Sequence, residues 1–106
     1  MAKGYWIGRV DVTDPEVYKE YVKLNAAPIA AHGGRFLVRG GEFVPSIGSA
    51  RERNVVIEFP SYQAALDCWH SEGYQAALKV RLPVSVSEQL IIEGYDGPQP
   101  GDTTAG

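Results

Sequence analysis

The chain has 106 residues, of which 44% are hydrophobic and 22% are charged, and its formal net charge is −3. This length supports one domain with its own core, and the composition argues against a disordered chain. No apolar run approaches the ~20 residues of a membrane span, and the acidic balance argues against a nucleic-acid surface. Cys68 is the only cysteine, so no internal disulfide can form and a cytoplasmic location is expected.

The first predicted elements are a strand and a helix. Residues 5–12 alternate between two faces, as in a strand. The segment 13–16 is a helix start in which either Asp14 or Thr13 acts as N-cap. Pro28 is expected to kink this helix or end its regular part, and the glycine pair at 33 and 34 is expected to close it.

The remaining elements complete the order β-α-β-β-α-β. Strands are predicted at 35–44, 54–59 and 86–95, with a bulge or bend at Gly40 and Gly41. A second helix begins after Pro60 and is interrupted at 71–73. This order predicts an α+β, ferredoxin-like domain over residues 1–96, with a four-stranded antiparallel sheet in the order 4-1-3-2 and two helices on one face. The Gly- and Pro-rich residues 97–106 are predicted to be a disordered tail.

Alternation along the strands divides their side chains between two sheet faces. The face covered by helices is predicted to hold Trp6, Val10, Phe36, Val38, Val55, Ile57, Phe59, Leu90 and Ile92. The other face has an apolar centre and a charged rim, as protein interfaces commonly do, and Arg39 and Glu58 could pair across it. The predicted homodimer contacts on it are Ile7, Leu37, Val56, Glu58, Ile91 and Glu93. The alternative is a solvated face that tolerates a few aliphatic side chains.

Several motifs in fixed order span residues 5–95. They are Tyr5-Trp6-Ile7, Asp14-Pro15 with Tyr18 and Tyr21, Gly33-Gly34-Arg35-Phe36, Arg39-Gly40-Gly41, Val56-Ile57-Glu58-Phe59-Pro60, Ser71 with Tyr74-Gln75, Arg81, and Glu93-Gly94. With these motifs the chain resembles the family catalogued as domain of unknown function 1330, in the dimeric α+β barrel superfamily. The resemblance implies a ferredoxin-like monomer and a dimer whose sheets face each other, and it implies no particular reaction. The family's serine is commonly followed by proline, whereas Glu72 follows Ser71 here.

The candidate site residues are mainly arginine and aromatic side chains. The two histidines and one cysteine have no zinc-like spacing, so no metal site or cofactor is predicted, and Cys68 is interpreted as an inert core thiol. A pocket is predicted between the helices and the sheet, with ligand contacts from Arg39, Trp69, Tyr74, Arg81 and His32. An arginine there would hold an anionic group, and His32 or Tyr74 would transfer a proton in any reaction. The alternative role of His32 is to cap the end of its helix.

Three functions remain open from the sequence. The first is a homodimer that binds a small aromatic or carboxylate molecule. The second is a cofactor-independent monooxygenase or isomerase of a small aromatic or enolic acid. The third is a structural or regulatory dimer without a ligand. A titratable residue that faces an apolar pocket would favour the enzyme, and a filled interior would favour the structural dimer.

Overall fold

The computed structural model describes residues 2–102, and its helices cover one face of a four-stranded antiparallel sheet. The elements in chain order are β1 (Gly4–Val12), α1 (Pro15–Ala31), β2 (Arg35–Arg39), β3 (Arg53–Phe59), α2 (Tyr62–His70), α3 (Glu72–Arg81), a 3-10 turn (Leu82–Val84) and β4 (Ser85–Glu93). The strand order β2-β3-β1-β4 is the predicted order read in reverse, so the ferredoxin-like prediction is confirmed. Among the helices of residues 2–102, none is both long and apolar enough to cross a membrane.

Helix α1 begins and ends as its polar and glycine residues indicate, but it does not end at Pro28. Asp14 is the N-cap, and its carboxylate accepts a hydrogen bond of 3.3 Å from the backbone N–H of Val17. The helix continues through the buried Pro28 to Ala31, because proline removes only one hydrogen bond of the helix. The chain then reverses at Gly33, whose φ of +75° lies in the left-handed region that glycine adopts readily.

Strand β2 contains a bulge at Leu37 that was not predicted, and the chain bends at Gly40, where a bulge or bend was predicted. Phe36 pairs with Ile57, but Val38 pairs with Val56, so Leu37 is an extra residue in the ladder. The strand then ends earlier than predicted, at Arg39 rather than at residue 44.

The bulge reverses the predicted faces of the two residues that follow it. Arg39 pairs with Val55 on the side of the sheet that faces the helices, and Val38 lies on the open side. The predicted pairing of Arg39 with Glu58 is therefore wrong, because the two side chains lie on opposite faces. Glu58 instead accepts a hydrogen bond of 3.2 Å from the hydroxyl of Tyr5.

Strand β4 also has its two faces exchanged relative to the prediction. Ile91 pairs with Trp6 and packs against the core, whereas Leu90 and Ile92 are exposed on the open face. Glu93, two positions after Ile91, lies on the same side of the sheet as Ile91. Neither residue is therefore on the predicted dimer face. Residues 90–92 are all aliphatic, so their alternation could not decide which face is buried.

The core lies between the sheet and the helices and is rich in aromatic side chains. Trp6 stands at its centre, and its indole N–H donates a hydrogen bond of 2.9 Å to the carbonyl of Ala65. The ring of the fully buried Tyr74 packs 4.6 Å from that of Trp6, centre to centre. Cys68 is also fully buried, as predicted, and burial raises the pKa of its thiol to about 12.

The open face of the sheet carries a broad set of aliphatic side chains. Those with 38 to 52% of their surface exposed are Ile7, Leu37, Val38, Val86, Leu90 and Ile92. The loop between β2 and β3 is fixed to this face by Arg51, whose guanidinium contacts Asp11 at 2.7 Å and both carboxylate oxygens of Glu88. The pKa of Glu88 is lowered by Arg51, and that of Asp11 is lowered by the backbone N–H of Glu52 and by Arg51.

The segment after β4 contains no helix or strand over residues 97–102. Its hydrogen bonds there are local, such as the one of 2.6 Å from the hydroxyl of Tyr95 to the carbonyl of Pro98. Residues 103–106 lie outside the described residues. The disordered tail therefore stays a prediction.

Candidate functional site

A cavity lies between α1 and the side of the sheet that faces the helices. It leaves about 40 Å³ for water-sized molecules, and about 470 Å³ of empty space when its mouth to solvent is counted. The first volume corresponds to about three waters. The aromatic and polar side chains that line it are Trp6, Tyr18, Tyr21, Asn25, Phe36, Arg39, Arg53, Arg81 and Gln89.

Three arginines from three different elements line this cavity. Arg39 comes from the end of β2, Arg53 from the start of β3 and Arg81 from the last turn of α3. The bulge in β2 is the reason why Arg39 faces the cavity rather than the open face. Within residues 2–102, none of the three has a carboxylate within 4.0 Å. The cavity therefore carries positive charge that the described part of the chain does not neutralise.

Arg81 is the most deeply buried of the three arginines, with only 5% of its surface exposed. Its Nη1 donates toward the hydroxyls of Tyr21 and Tyr74, at 3.3 and 3.2 Å, and toward the amide oxygen of Gln89 at 3.2 Å. All three acceptors are neutral, and a single Nη1 has only two hydrogens for them. A buried guanidinium without a counter-charge is strongly destabilising, so an anion beside it would be stabilising.

Some residues that line the cavity also have buried polar atoms without a hydrogen-bond partner. In residues 2–102, four buried side-chain polar atoms are of this kind: Asn25 Oδ1, Arg53 Nε, Arg81 Nε and Gln89 Nε2. All four belong to residues that line this cavity. More than 90% of buried polar groups in proteins are paired, and each unpaired one costs about 1–3 kcal/mol. Their concentration in one place indicates a site that a ligand or ordered water completes.

Two tyrosine hydroxyls form a pair next to Arg81. The hydroxyls of Tyr21 and Tyr74 are 2.8 Å apart, and the ring of Tyr21 lies 5.3 Å from the Arg81 guanidinium carbon. Burial raises the pKa of Tyr74 far above its ordinary value, and burial also raises the pKa of Tyr18. The phenols of Tyr18 and Tyr74 are therefore protonated at neutral pH and do not act as bases there.

The residues predicted from the sequence divide into two groups. Arg39 and Arg81 line the cavity, whereas Trp69, Tyr74 and His32 do not. Trp69 packs in the core with its ring 5.7 Å from that of Trp6, and Tyr74 reaches the site only through its hydroxyl. The ring Nδ1 of His32 is 2.8 Å from the carbonyl of Pro28, which is the capping arrangement considered as its alternative role.

Three polar residues of the cavity were not identified from the sequence. Asn25 had a detectable signal, because a polar residue at helical spacing from Tyr18 and Tyr21 interrupts the buried face of α1. Arg53 also had a signal, because it alternates in step with Val55 and Ile57, which were expected on the helix-covered face. Gln89 had none, because its face depends on the pairing of β4 with β1. Over residues 2–102, no group of three or more His, Cys, Asp or Glu side chains is placed to hold a metal ion.

The comparisons with known proteins agree with this fold. The chain matches the family model "Domain of unknown function (DUF1330)" over residues 3–95 and belongs to that family, which confirms the resemblance inferred from the motifs. No curated protein matches the sequence.

Solved structures with the same fold are only distantly similar in sequence. A protein of unknown function from Rhodopseudomonas palustris is 18% identical, with a TM-score of 0.70 over 91% of this chain and 85% of that one. SnoaB, a cofactor-independent oxygenase from Streptomyces nogalater, is 13% identical, with a TM-score of 0.61 over 96% and 100% of the two chains. A dimeric ferredoxin-like protein of unknown function from Thermobifida fusca is 15% identical, with a TM-score of 0.55 over 86% and 92%.

Proposed function

We propose that this protein is a homodimer that binds a small organic anion in the cavity between α1 and the sheet. The observation that carries the proposal is that all four unpaired buried polar atoms of residues 2–102 belong to residues that line this one cavity, where three arginines have no carboxylate of that part of the chain within 4.0 Å. An anion would accept hydrogen bonds from the three nitrogens among these atoms and would offset the burial of Arg81.

The walls of the cavity suit the organic part of such a ligand. Trp6, Tyr18 and Tyr21 present aromatic surface, and Val55 and Ile57 present aliphatic surface. Small-molecule sites typically combine apolar walls with a few polar groups that fix the orientation of the ligand. The ligand class is therefore a small carboxylate, including aromatic acids.

Thermal unfolding with benzoate and with benzyl alcohol tests this proposal, because the two molecules have similar shapes and only benzoate is charged. At about ten times the Kd of benzoate, binding would add about 1.4 kcal/mol of stability and raise Tm by several degrees. Arg81→Gln should abolish this increase. Arg9→Gln is the matched control, because Arg9 lies on the open face and donates to the carbonyl of Ser49. If a panel of small carboxylates stabilises the protein no more than sodium chloride does, the cavity does not bind organic anions.

The proposed dimer joins two copies through the open face of the sheet. Its support is the aliphatic character of that face, and the dimeric state of the similar protein from Thermobifida fusca agrees with it. With the corrected strand faces, the contacts are Ile7, Leu37, Val38, Val56, Glu58, Val86, Leu90 and Ile92. Val56→Asp would bury a charge in this interface and cost several kcal/mol of dimer stability.

Sedimentation equilibrium at micromolar concentration measures this effect. We expect a dimer for the unmutated protein and a monomer for Val56→Asp. Val17→Asp is the matched control, because Val17 is equally aliphatic but lies in α1. A monomeric unmutated protein would contradict the proposed dimer.

A cytoplasmic location, inferred from the single cysteine, stays a prediction.

A second candidate is a cofactor-independent monooxygenase or isomerase of a small aromatic or enolic acid. The observation in its favour is the pair of tyrosine hydroxyls beside Arg81, which could stabilise an enolate or phenolate oxygen. SnoaB, which has a similar fold, is a cofactor-independent oxygenase. Oxygen uptake with hydroquinone acids, compared between the unmutated protein and Tyr74→Phe, distinguishes a monooxygenase from a binding protein, and conversion of the acid without oxygen uptake would indicate an isomerase. A structural dimer without a ligand would show neither oxygen uptake nor stabilisation by acids.

A further inference from the structure

We infer that the ligand of this cavity is a short hydroxycarboxylate, with its carboxylate beside Arg53, Arg81 and Gln89 and its hydroxyl donating to Asn25. This inference rests on the proposed function and names the class of anion. It follows from the kinds of atoms that the lining residues leave unpaired, which are three donors and one acceptor.

Three of the four unpaired atoms are hydrogen-bond donors. They are Arg53 Nε, Arg81 Nε and Gln89 Nε2, and each carries hydrogen. A carboxylate has two oxygens with about four acceptor positions, which are enough acceptors for three donors. A neutral ligand would leave the buried charge of Arg81 without compensation.

The side formed by α1 requires a different partner. Asn25 is only 6% exposed, and its Oδ1 is an acceptor without a donor. With the amide in this orientation, a simple carboxylate has no donor to offer to Oδ1. An ammonium group on the ligand would satisfy Asn25 but would add positive charge to a cavity that already holds three guanidinium groups. A neutral hydroxyl is the donor that fits both conditions.

The small size of the cavity restricts the polar part of the ligand. The space of about 40 Å³ for water-sized molecules holds only about three water-sized groups, which favours a short polar end such as that of a 2-hydroxy acid. A larger organic group would have to extend along the aromatic walls toward the mouth.

Lactate and propionate provide the test, because they differ only in the hydroxyl group. Binding is followed by NMR titration of the arginine Nε–H signals and of the indole N–H of Trp6, which lines the cavity. We expect lactate to bind about tenfold more tightly than propionate, which corresponds to one good hydrogen bond. In Asn25→Leu the ratio of the two affinities should fall to about one, and Arg9→Gln should keep the ratio of the unmutated protein.

The outcomes separate this inference from the proposed function. Equal affinities for the two acids in the unmutated protein would overturn the hydroxyl requirement and leave anion binding intact. This comparison needs no variant, so it decides the inference even if Asn25→Leu does not fold. Tighter binding of inorganic phosphate, which also has acceptors and a hydroxyl, would overturn the carboxylate class. No perturbation of the arginine signals by any of these anions or by benzoate would overturn both proposals.

Discussion

Replacing Arg81 with methionine tests whether this buried guanidinium serves ligand binding or the stability of the fold. The substitution removes the charge and its hydrogen bonds to Tyr21, Tyr74 and Gln89 while it approximately preserves the volume. Three hydrogen bonds at about 1 kcal/mol each would lower the free energy of unfolding by about 3 kcal/mol. The burial of an uncompensated charge, however, costs several kcal/mol, and methionine does not incur that cost.

These two contributions nearly cancel for the ligand-free protein. The hydroxyls of Tyr21 and Tyr74 still bond to each other at 2.8 Å in the variant, and the amide of Gln89 borders a cavity that can hold water. We therefore expect Arg81→Met to change the free energy of unfolding by less than about 1 kcal/mol, or to increase it. The stabilisation by small acids should disappear completely in the same variant.

Urea denaturation followed by circular dichroism measures this free energy. Leu78→Ala is the control, since Leu78 is a buried apolar residue of the same helix and its truncation should cost about 2–5 kcal/mol. Arg81 is mainly a structural residue if Arg81→Met lowers the free energy of unfolding by about 3 kcal/mol or more while the slope of that free energy against urea concentration is unchanged. The uncompensated charge of Arg81 would then no longer support an anion site.

Three other predictions concern the fold. The thiol of Cys68 has a pKa of about 12 in the folded protein, so little of it is in the reactive thiolate form at pH 8. Its reaction with a thiol reagent at pH 8 should be about three orders of magnitude slower in the folded protein than in urea. Similar rates would contradict its burial. Asp11 and Glu88, the carboxylate partners of Arg51, have lowered pKa values in the folded state. Their ion pairs with Arg51 therefore stabilise the protein above about pH 4, and this stabilisation is lost as the pH falls through the lowered pKa values. Arg51→Gln should accordingly lower Tm near pH 7 and no longer do so by about pH 2, whereas a constant difference would assign the effect to packing. Gly4→Ala places a methyl group against the backbone oxygen of Ser61 and should lower the free energy of unfolding by about 1–3 kcal/mol in urea denaturation. Gly41→Ala should be nearly neutral, because an added methyl group there would meet no other part of the chain within 4 Å.

The sequence was sufficient for the order of the elements because their periodic patterns and boundary residues are strong. Asp14 with Pro15 marks the start of α1, and the break predicted at 71–73 is observed at Ser71, with Glu72 and Gly73 already in α3. The face of a strand residue is harder to predict when both faces are apolar. In β4 the aliphatic residues 90–92 fit either face, and only the pairing of Ile91 with Trp6 decides between them.

The candidate site was predicted only in part for the same physical reason. Arg39 and Arg81 were expected beside a ligand and line the cavity, but Arg39 does so because a bulge at Leu37 changes its face. A bulge depends on pairing between strands and has no fixed sequence signal. Large aromatic residues such as Trp69 and Tyr74 fill the core instead of lining the cavity, since their burial against Trp6 stabilises the fold.

Ser71 determines the direction of the helix that carries the most buried charge of the cavity. Its hydroxyl donates to the carbonyl of Cys68 at 2.7 Å and accepts from the backbone N–H of Tyr74 at 3.3 Å, so it ends α2 and begins α3. An unbroken helix would keep one direction from end to end. Because the connection is divided at Ser71, α2 packs on the strands while α3 packs along α1 and places Arg81 beside Tyr21. A substitution at this junction would therefore act on the cavity through the orientation of α3, without contact with the ligand.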